Sequence, residues 1–329
     1  MRELAVQFQS LAKQHGAVIP LMVGHRNMGV SLLHTGDFVE AQAEIDRAID
    51  LFDPAQHRHL GTRFGQDVGV ALSFYRSLAH WSLGYPKRAL ADADRAIKEA
   101  REIDQAASLM AALTLTSLTH IHCGNYAIAN AQLDEAIKLA SEKGALFWRV
   151  GGVLVKGCLL AESGKALDAV RTIASGISEW RATGTTVWVP TYLCYLARAH
   201  AELGQFDEAG RCIDEAMTTL QTNSETWYEA DVNRIAGEIA LRSPDADVKR
   251  AEAYFERALV VARAQRAKSW ELRSGMSMAR LWRDQGKCKE AYGLLDSVYS
   301  CFTEGFDTRD LKEAKALLTC WRGDSRVAH

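Results

Sequence analysis

Residues 204–217 read Gly-Gln-Phe-Asp-Glu-Ala-Gly-Arg-Cys-Ile-Asp-Glu-Ala-Met. Gly204 is followed five positions later by Ala209, and Ala216 lies seven beyond that, with Ile213 between the two alanines. Seven residues are two helical turns, so Ala209 and Ala216 share one face of a helix. A small-large-small stripe lets a helix approach two neighbours closely. The preceding Gly suits the end of an earlier helix, where a left-handed backbone is needed and Gly adopts it without steric cost.

The same spacing recurs from Gly36 to Ala41, Gly84 to Ala89, Gly124 to Ala129, Gly164 to Ala169 and Gly286 to Ala291. The second small position is filled by Ala48, Ala96, Ala136, Gly176 and Ala258, with Val298 as a bulky exception. Ile45, Leu133, Ile173, Phe255 and Leu295 stand between, and Ala93 takes that place in the second unit. The glycines at 84, 124, 164 and 204 are 40 residues apart, and the 82 residues from 204 to 286 leave room for one unit without its Gly, seen as Asp247 to Ala251. The segments before the glycines also read as helices: 67–83, 107–123, 148–163, 187–203 and 270–285. Each unit is thus a helical hairpin that cannot bury its apolar face alone but can do so in a stack.

The reading is all-α: a superhelical solenoid of about seven hairpins over residues 11–305, with a capping helix at about 306–320, in a single domain over 1–329. The spacing from Gly36 to Gly84 is eight longer than the others. Asp53, Pro54 and the polar run His57, Arg58, His59 are expected to absorb the excess as a loop.

Composition agrees. Hydrophobic residues make up 48% of the 329, with only 5 Pro, as a helical chain with a large core requires. The formal charge of -2 argues against a nucleic-acid binder, although a local basic patch is compatible with it. No apolar run is long enough to cross a membrane, and the N-terminus lacks the apolar core of a signal peptide. Seven scattered cysteines without a CxxC pair point to reduced thiols, hence to the cytoplasm.

The hairpins resemble the tetratricopeptide repeat. The first matches through Gly29, Leu32, Gly36, Asp37, Phe38, Ala41, Ile45 and Ala48, the fifth through Ala197, His200, Gly204, Gln205, Phe206, Ala209, Ile213 and Ala216. The period near 40 exceeds the usual 34, and His80, His120 and His200 stand where the first helix normally carries an aromatic residue. The run from Cys301 to Thr308, the run from Asp310 to Leu318, and the early stretch from Gly24 to Phe38 resemble the repeat arm of bacterial proteins that join a class III adenylate/guanylate cyclase domain, an ATPase and tetratricopeptide repeats. That resemblance implies a bacterial regulatory arm. It supplies no enzyme here, since the chain has no P-loop pattern and no room for a cyclase domain.

Candidate chemistry is sparse. His120 and His122 do not share a helix face, His57 and His59 sit in the expected loop, and no four-ligand metal pattern or HExxH is present. Gly151 and Gly152 lie inside a helix rather than in a phosphate-binding loop. The repeated phase of His80, His120 and His200 favours packing or hydrogen bonding. No catalytic residue, cofactor or metal is therefore assigned.

The functional reading is a non-enzymatic protein-interaction scaffold. First helices should line a concave groove, with Arg26, His34, Phe74, Trp81, His122 and Glu202 among the inward positions. Arg198, Arg273, Arg280 and Arg283 should make its later half positive, which suits an acidic peptide or a carboxyl terminus. Trp148, Trp188 and Trp270 stand sixteen residues before their turn glycines. They serve either interhelix packing or an exposed row, in which case Trp188 and Trp270 are apolar anchors. Internal pairing of the arginines with Asp284, Glu202 and Glu271 is the competing arrangement, and a small molecule sensed in the groove is the alternative to a peptide.

Overall fold

The computed structural model describes residues 2–324. It opens with α1 (Arg2–His15), followed by the first hairpin, α2 (Val18–His34) and α3 (Phe38–Leu51). Short turns α4 (Pro54–His57), a 3-10 turn (Arg58–Leu60) and α5 (Gly61–Phe64) lead to the second hairpin, α6 (Val68–Ser82) and α7 (Pro86–Ile103). The third pairs α8 (Ala106–Cys123) with α9 (Tyr126–Glu142), the fourth α10 (Leu146–Glu162) with α11 (Ala166–Ala182), and the fifth α12 (Val189–Glu202) with α13 (Phe206–Asn223). The sixth pairs α14 (Glu229–Arg242) with α15 (Val248–Ala264), and the seventh α16 (Lys268–Asp284) with α17 (Cys288–Tyr299). Helix α18 (Arg309–Asp324) closes the described chain, in which no strand occurs. The seven hairpins and the capping helix match the expectation. None of these helices is long and apolar enough to cross a membrane.

Three boundaries differ from the sequence reading. Residues 2–15 form a separate helix, so the repeats start at Val18 rather than near 11. The insertion is helical turns rather than a loop. The Asp53 carboxylate accepts the Ala55 N–H at 2.9 Å, Pro54 opens the turn, and the Asp53 N–H donates to His57 Nδ1 at 2.9 Å. Those bonds satisfy the backbone groups that a tight turn leaves open. The cap runs four residues further than 320.

Six of the seven hairpin turns are built the same way. The N–H of Gly124 donates to the Ile121 carbonyl and that of Asn125 to His120, at 3.1 and 2.8 Å. Equivalent pairs end α2, α6, α10, α12 and α16. Such a pair requires a left-handed residue, and Gly124 has φ +83°. The sixth hairpin manages without it. There the N–H of Asp247 donates to Ala240, and the Asp247 carboxylate caps α15 through the Arg250 N–H.

Within a hairpin, a small residue of the first helix sits against a large one of the second. A methyl added at Gly157 would lie 2.5 Å from Ile173, and one at Gly29 would lie 2.7 Å from Ile45. Ala41, Ile45 and Ala48 are fully buried, as are Ala209 and Ala216 beside the nearly buried Ile213. The repeated stripe is therefore the packing seam.

The superhelix turns back onto itself. The N–H groups of Thr226 and Trp227 donate to the His34 carbonyl at 2.9 and 3.1 Å, tying the sixth hairpin to the turn of the first. Ser269 Oγ donates to the Trp81 carbonyl, tying the seventh to the second. Arg309 of α18 reaches Tyr126 of the third. One superhelical turn thus takes about five hairpins, a curvature set by the small rotation that each repeat adds.

Candidate functional site: a plugged superhelix with two mouths

The first helices do line the concave side, but the axis is filled. Trp81 stacks on His122 with centroids 4.1 Å apart, and Trp270 stands edge-on to Trp81 at 4.6 Å and to Tyr228 at 4.8 Å. All four are buried. Helix α12 shows the layering. Trp188 precedes it and Tyr192 lies in its first turn at one mouth, Tyr195 faces Tyr228 in the plug, and Arg198 stands at the other mouth.

The charged mouth collects Arg198, Arg234, Arg273, Arg280 and Arg309 against Glu162, Glu238, Asp310 and Glu313. Glu162 is at its centre, accepting from Arg198 at 2.5 Å and Arg309 at 2.6 Å. Burial alone would raise its pKa, but Arg198, Arg273 and Arg309 outweigh that and hold it at about 2. Arg234 is clamped between Asp231 and Glu238, each at 2.6 Å. Arg273 donates to Asp310 at 2.6 Å and to the His122 carbonyl at 3.1 Å, its guanidinium lying over Trp81 and Trp270. Arg280 pairs with Glu313, both half-exposed.

Of the four arginines expected from sequence, Arg198, Arg273 and Arg280 converge on this cleft. Arg283 does not line it. It lies over the Trp321 ring at 5.2 Å and near Cys320 Sγ. The open positive groove is replaced by a paired network. Its acids are chiefly Glu162, Asp310 and Glu313; of the expected set, Glu202 bonds Arg198 at 3.4 Å, whereas Glu271 bonds Arg263 and Lys268. Arg234 and Arg309 escaped the sequence reading. Arg309 precedes the apolar stripe of the cap, and only the closure of the superhelix carries it to Glu162.

Nor is the aromatic row an exposed rim. Trp270 is fully buried in the plug. Trp188 is buried where its backbone N–H donates to both oxygens of the Glu225 carboxylate and its indole N–H donates to His34 Nε2 at 3.0 Å. Trp148 is half-buried in the aromatic mouth. Equivalent phase in the repeats therefore places these rings at different depths. His80 and His200 hydrogen-bond Asp92 and Gln205, while His120 is buried with both ring nitrogens unpartnered. Phe302 packs under the seventh hairpin, and Phe306, half-exposed, meets Tyr299 of the same hairpin.

This architecture defines a tetratricopeptide-like superhelical solenoid. The tetratricopeptide repeat family model matches residues 22–47 and 190–215, the first and fifth hairpins. A model of anaphase-promoting complex subunit 5 matches residues 104–146, across the third. No curated protein is similar to the chain in sequence. Among solved structures, the Rap conjugation gene regulator of plasmid pLS20 in complex with the Phr* peptide is 12% identical, with 91% of this chain and 76% of that one covered at a TM-score of 0.61. The anaphase-promoting complex hetero-tetramer Cut9–Hcn1 is 11% identical at 0.60, with 93% and 52% covered. A Rap protein complexed with Competence and Sporulation Factor is 9% identical at 0.54, with 92% and 98% covered.

Proposed function

We propose that the chain is a non-enzymatic scaffold that captures an acidic protein or peptide partner at the charged mouth. The observation that carries this reading is the convergence of five arginines on one cleft. Arg280 and Glu313 form a half-exposed pair, which contributes little to stability and is open to exchange. A partner carboxylate replacing Glu313 gains the planar donor fork of Arg280 beside the fixed charges of Arg198 and Arg273. Arg283 flanks the cleft on the same helix. In this reading Trp188 and Trp270 hold the superhelix together, and they become anchors only for a partner that opens it.

The likeness to the Rap regulator solved in complex with the Phr* peptide supports a peptide or protein as the ligand. The resemblance of the first repeat and the C-terminal segment to the arm of cyclase–ATPase proteins supports a regulatory role in the bacterial cytoplasm. Partner capture with the wild-type chain and with an Arg280→Glu, Arg283→Glu variant of unchanged helical spectrum tests the proposal. Loss of a specific partner from the variant is the expected result. Identical partners and affinities would move the binding surface elsewhere.

A further inference from the structure

The opposite mouth has a different chemistry. Tyr75, Trp148, Trp180, Trp188 and Tyr192 wall a pocket of about 300 Å³, with Phe147 partly exposed at its lip. Val30, Gln66 and Tyr75 also line a second cavity, of about 560 Å³, between α1, α2 and α6. The two adjoin at those three residues, which would make them the ends of one channel along α2. Leu4, Phe8 and Leu11 of α1 line it while remaining 71%, 39% and 55% exposed, an apolar wall without a cover.

Among the described residues, Arg26 is the one permanently charged side chain that lines these two pockets, and the aromatic pocket adds the imidazole of His34. Burial lowers the pKa of His34, and its Nε2 accepts the Trp188 indole N–H, so it is neutral there. Arg26 has no carboxylate partner among the described residues. Its Nε and Nη2 share Asn27 Oδ1 at 3.3 and 3.1 Å, and its Nη1 is buried without any acceptor. Gln66 Oε1 and Thr114 Oγ1 are likewise buried and unpartnered. A half-buried cation without a counter-charge is costly, and an anion in the channel would offset that cost.

We propose that this channel binds a small amphipathic carboxylate of the medium-chain acyl class, with the carboxylate at Arg26 and the apolar body running to the aromatic mouth. From Arg26 to His34 is eight residues of α2, about 12 Å at the helical rise, a span that suits such a body. A peptide fits less well. Every residue of an extended chain brings an N–H and a C=O that need partners, and the aromatic pocket offers few polar side chains beyond Gln66, Thr114 and Thr185. The site is independent of the charged mouth, so either can fail without the other.

The test titrates the full chain with dodecanoate and with dodecanol, following the fluorescence of the tryptophans in the mouth. Saturable dodecanoate binding about tenfold or more tighter than that of dodecanol is expected, the size of a charge-assisted hydrogen bond. Arg26→Gln should reduce dodecanoate affinity to the dodecanol level and leave dodecanol binding unchanged. The substitution removes an unpaired charge, so the fold should survive it, which melting of the variant checks. Equal affinities for the two probes, no saturable binding of either, or an Arg26→Gln variant that binds dodecanoate normally would each overturn the proposal. A free-carboxylate hydrophobic pentapeptide that binds more tightly than dodecanoate, with the same dependence on Arg26, would overturn the acyl occupant in favour of a peptide.

Discussion

Trp188 donates its indole N–H to Nε2 of His34 across 154 residues of chain, at 3.0 Å. The rings meet edge-on with centroids 6.0 Å apart. The bond is buried and joins the start of the fifth hairpin to the end of the first helix of the first. Trp188 also holds φ at +71°, a strained value for a residue with a side chain, and the Glu225 carboxylate on its N–H helps to fix it. Trp188→Phe should therefore cost about 1–3 kcal/mol, because it leaves the buried His34 nitrogen without its donor. Chemical denaturation of the single variants and of a double variant with His34→Leu gives the coupling. A coupling energy near zero would mean that this contact does not hold the turns together.

At the charged mouth, Glu162→Gln should destabilise the chain by about 3–5 kcal/mol, since Arg198 and Arg309 would lose a shared buried counter-charge. The pH dependence follows from the depressed pKa of about 2. The stabilisation is fully present above the ordinary carboxylate range and is lost as pH falls toward 2. Wild type and variant should converge in melting temperature on acidification. A constant gap down to pH 2.5 would contradict this.

Glu225 should behave in the opposite sense. Burial pushes its pKa from the ordinary 4.5 to about 7, and no Lys, Arg or His pairs with it among the described residues. Between those values the folded chain keeps a proton that the unfolded chain has lost, so stability declines as pH rises through that window and levels off above it. Glu225→Gln still offers an acceptor to the Trp188 N–H and should abolish the decline. The variant should gain on wild type by up to about 3 kcal/mol between pH 4.5 and 7. Parallel pH profiles for the two proteins would assign the carboxylate an ordinary pKa.

Ala216→Leu should cost about 1–3 kcal/mol, because added methylenes have no vacant volume in the fully buried seam of the fifth hairpin. Thr218→Leu, on the exposed face of the same helix, is the control and should change little. Equal melting temperatures for wild type and Ala216→Leu would place the seam elsewhere on α13.

The hairpins were legible because one left-handed turn per repeat is filled by Gly at a fixed spacing. A second left-handed position recurs at residues 104, 144, 184, 224 and 266, between hairpins, and it went unread. Asp104, Ser224 and Arg266 occupy three of the five, so no glycine pattern marks it. Helical phase correctly turned Arg198, Arg273 and Arg280 toward the concave side. It could not reveal Arg234 and Arg309 as neighbours of that set, nor the aromatic plug. Those depend on a curvature accumulated from small rotations at every hairpin, which no local pattern encodes. The channel at Arg26 depends on α1, whose separate existence the repeat spacing did not announce.

The return of the sixth and seventh hairpins onto the first two changes how such a chain comes apart. An open array of repeats is quasi-one-dimensional: its ends fray, and units melt in sequence. Here the carbonyls of His34 and Trp81 are held by residues about 190 positions away, which raises contact order and couples both ends of the chain. Amide exchange should accordingly find the first and seventh hairpins protected to a similar degree as the fourth, opening as one cooperative unit rather than as a gradient from the termini inward.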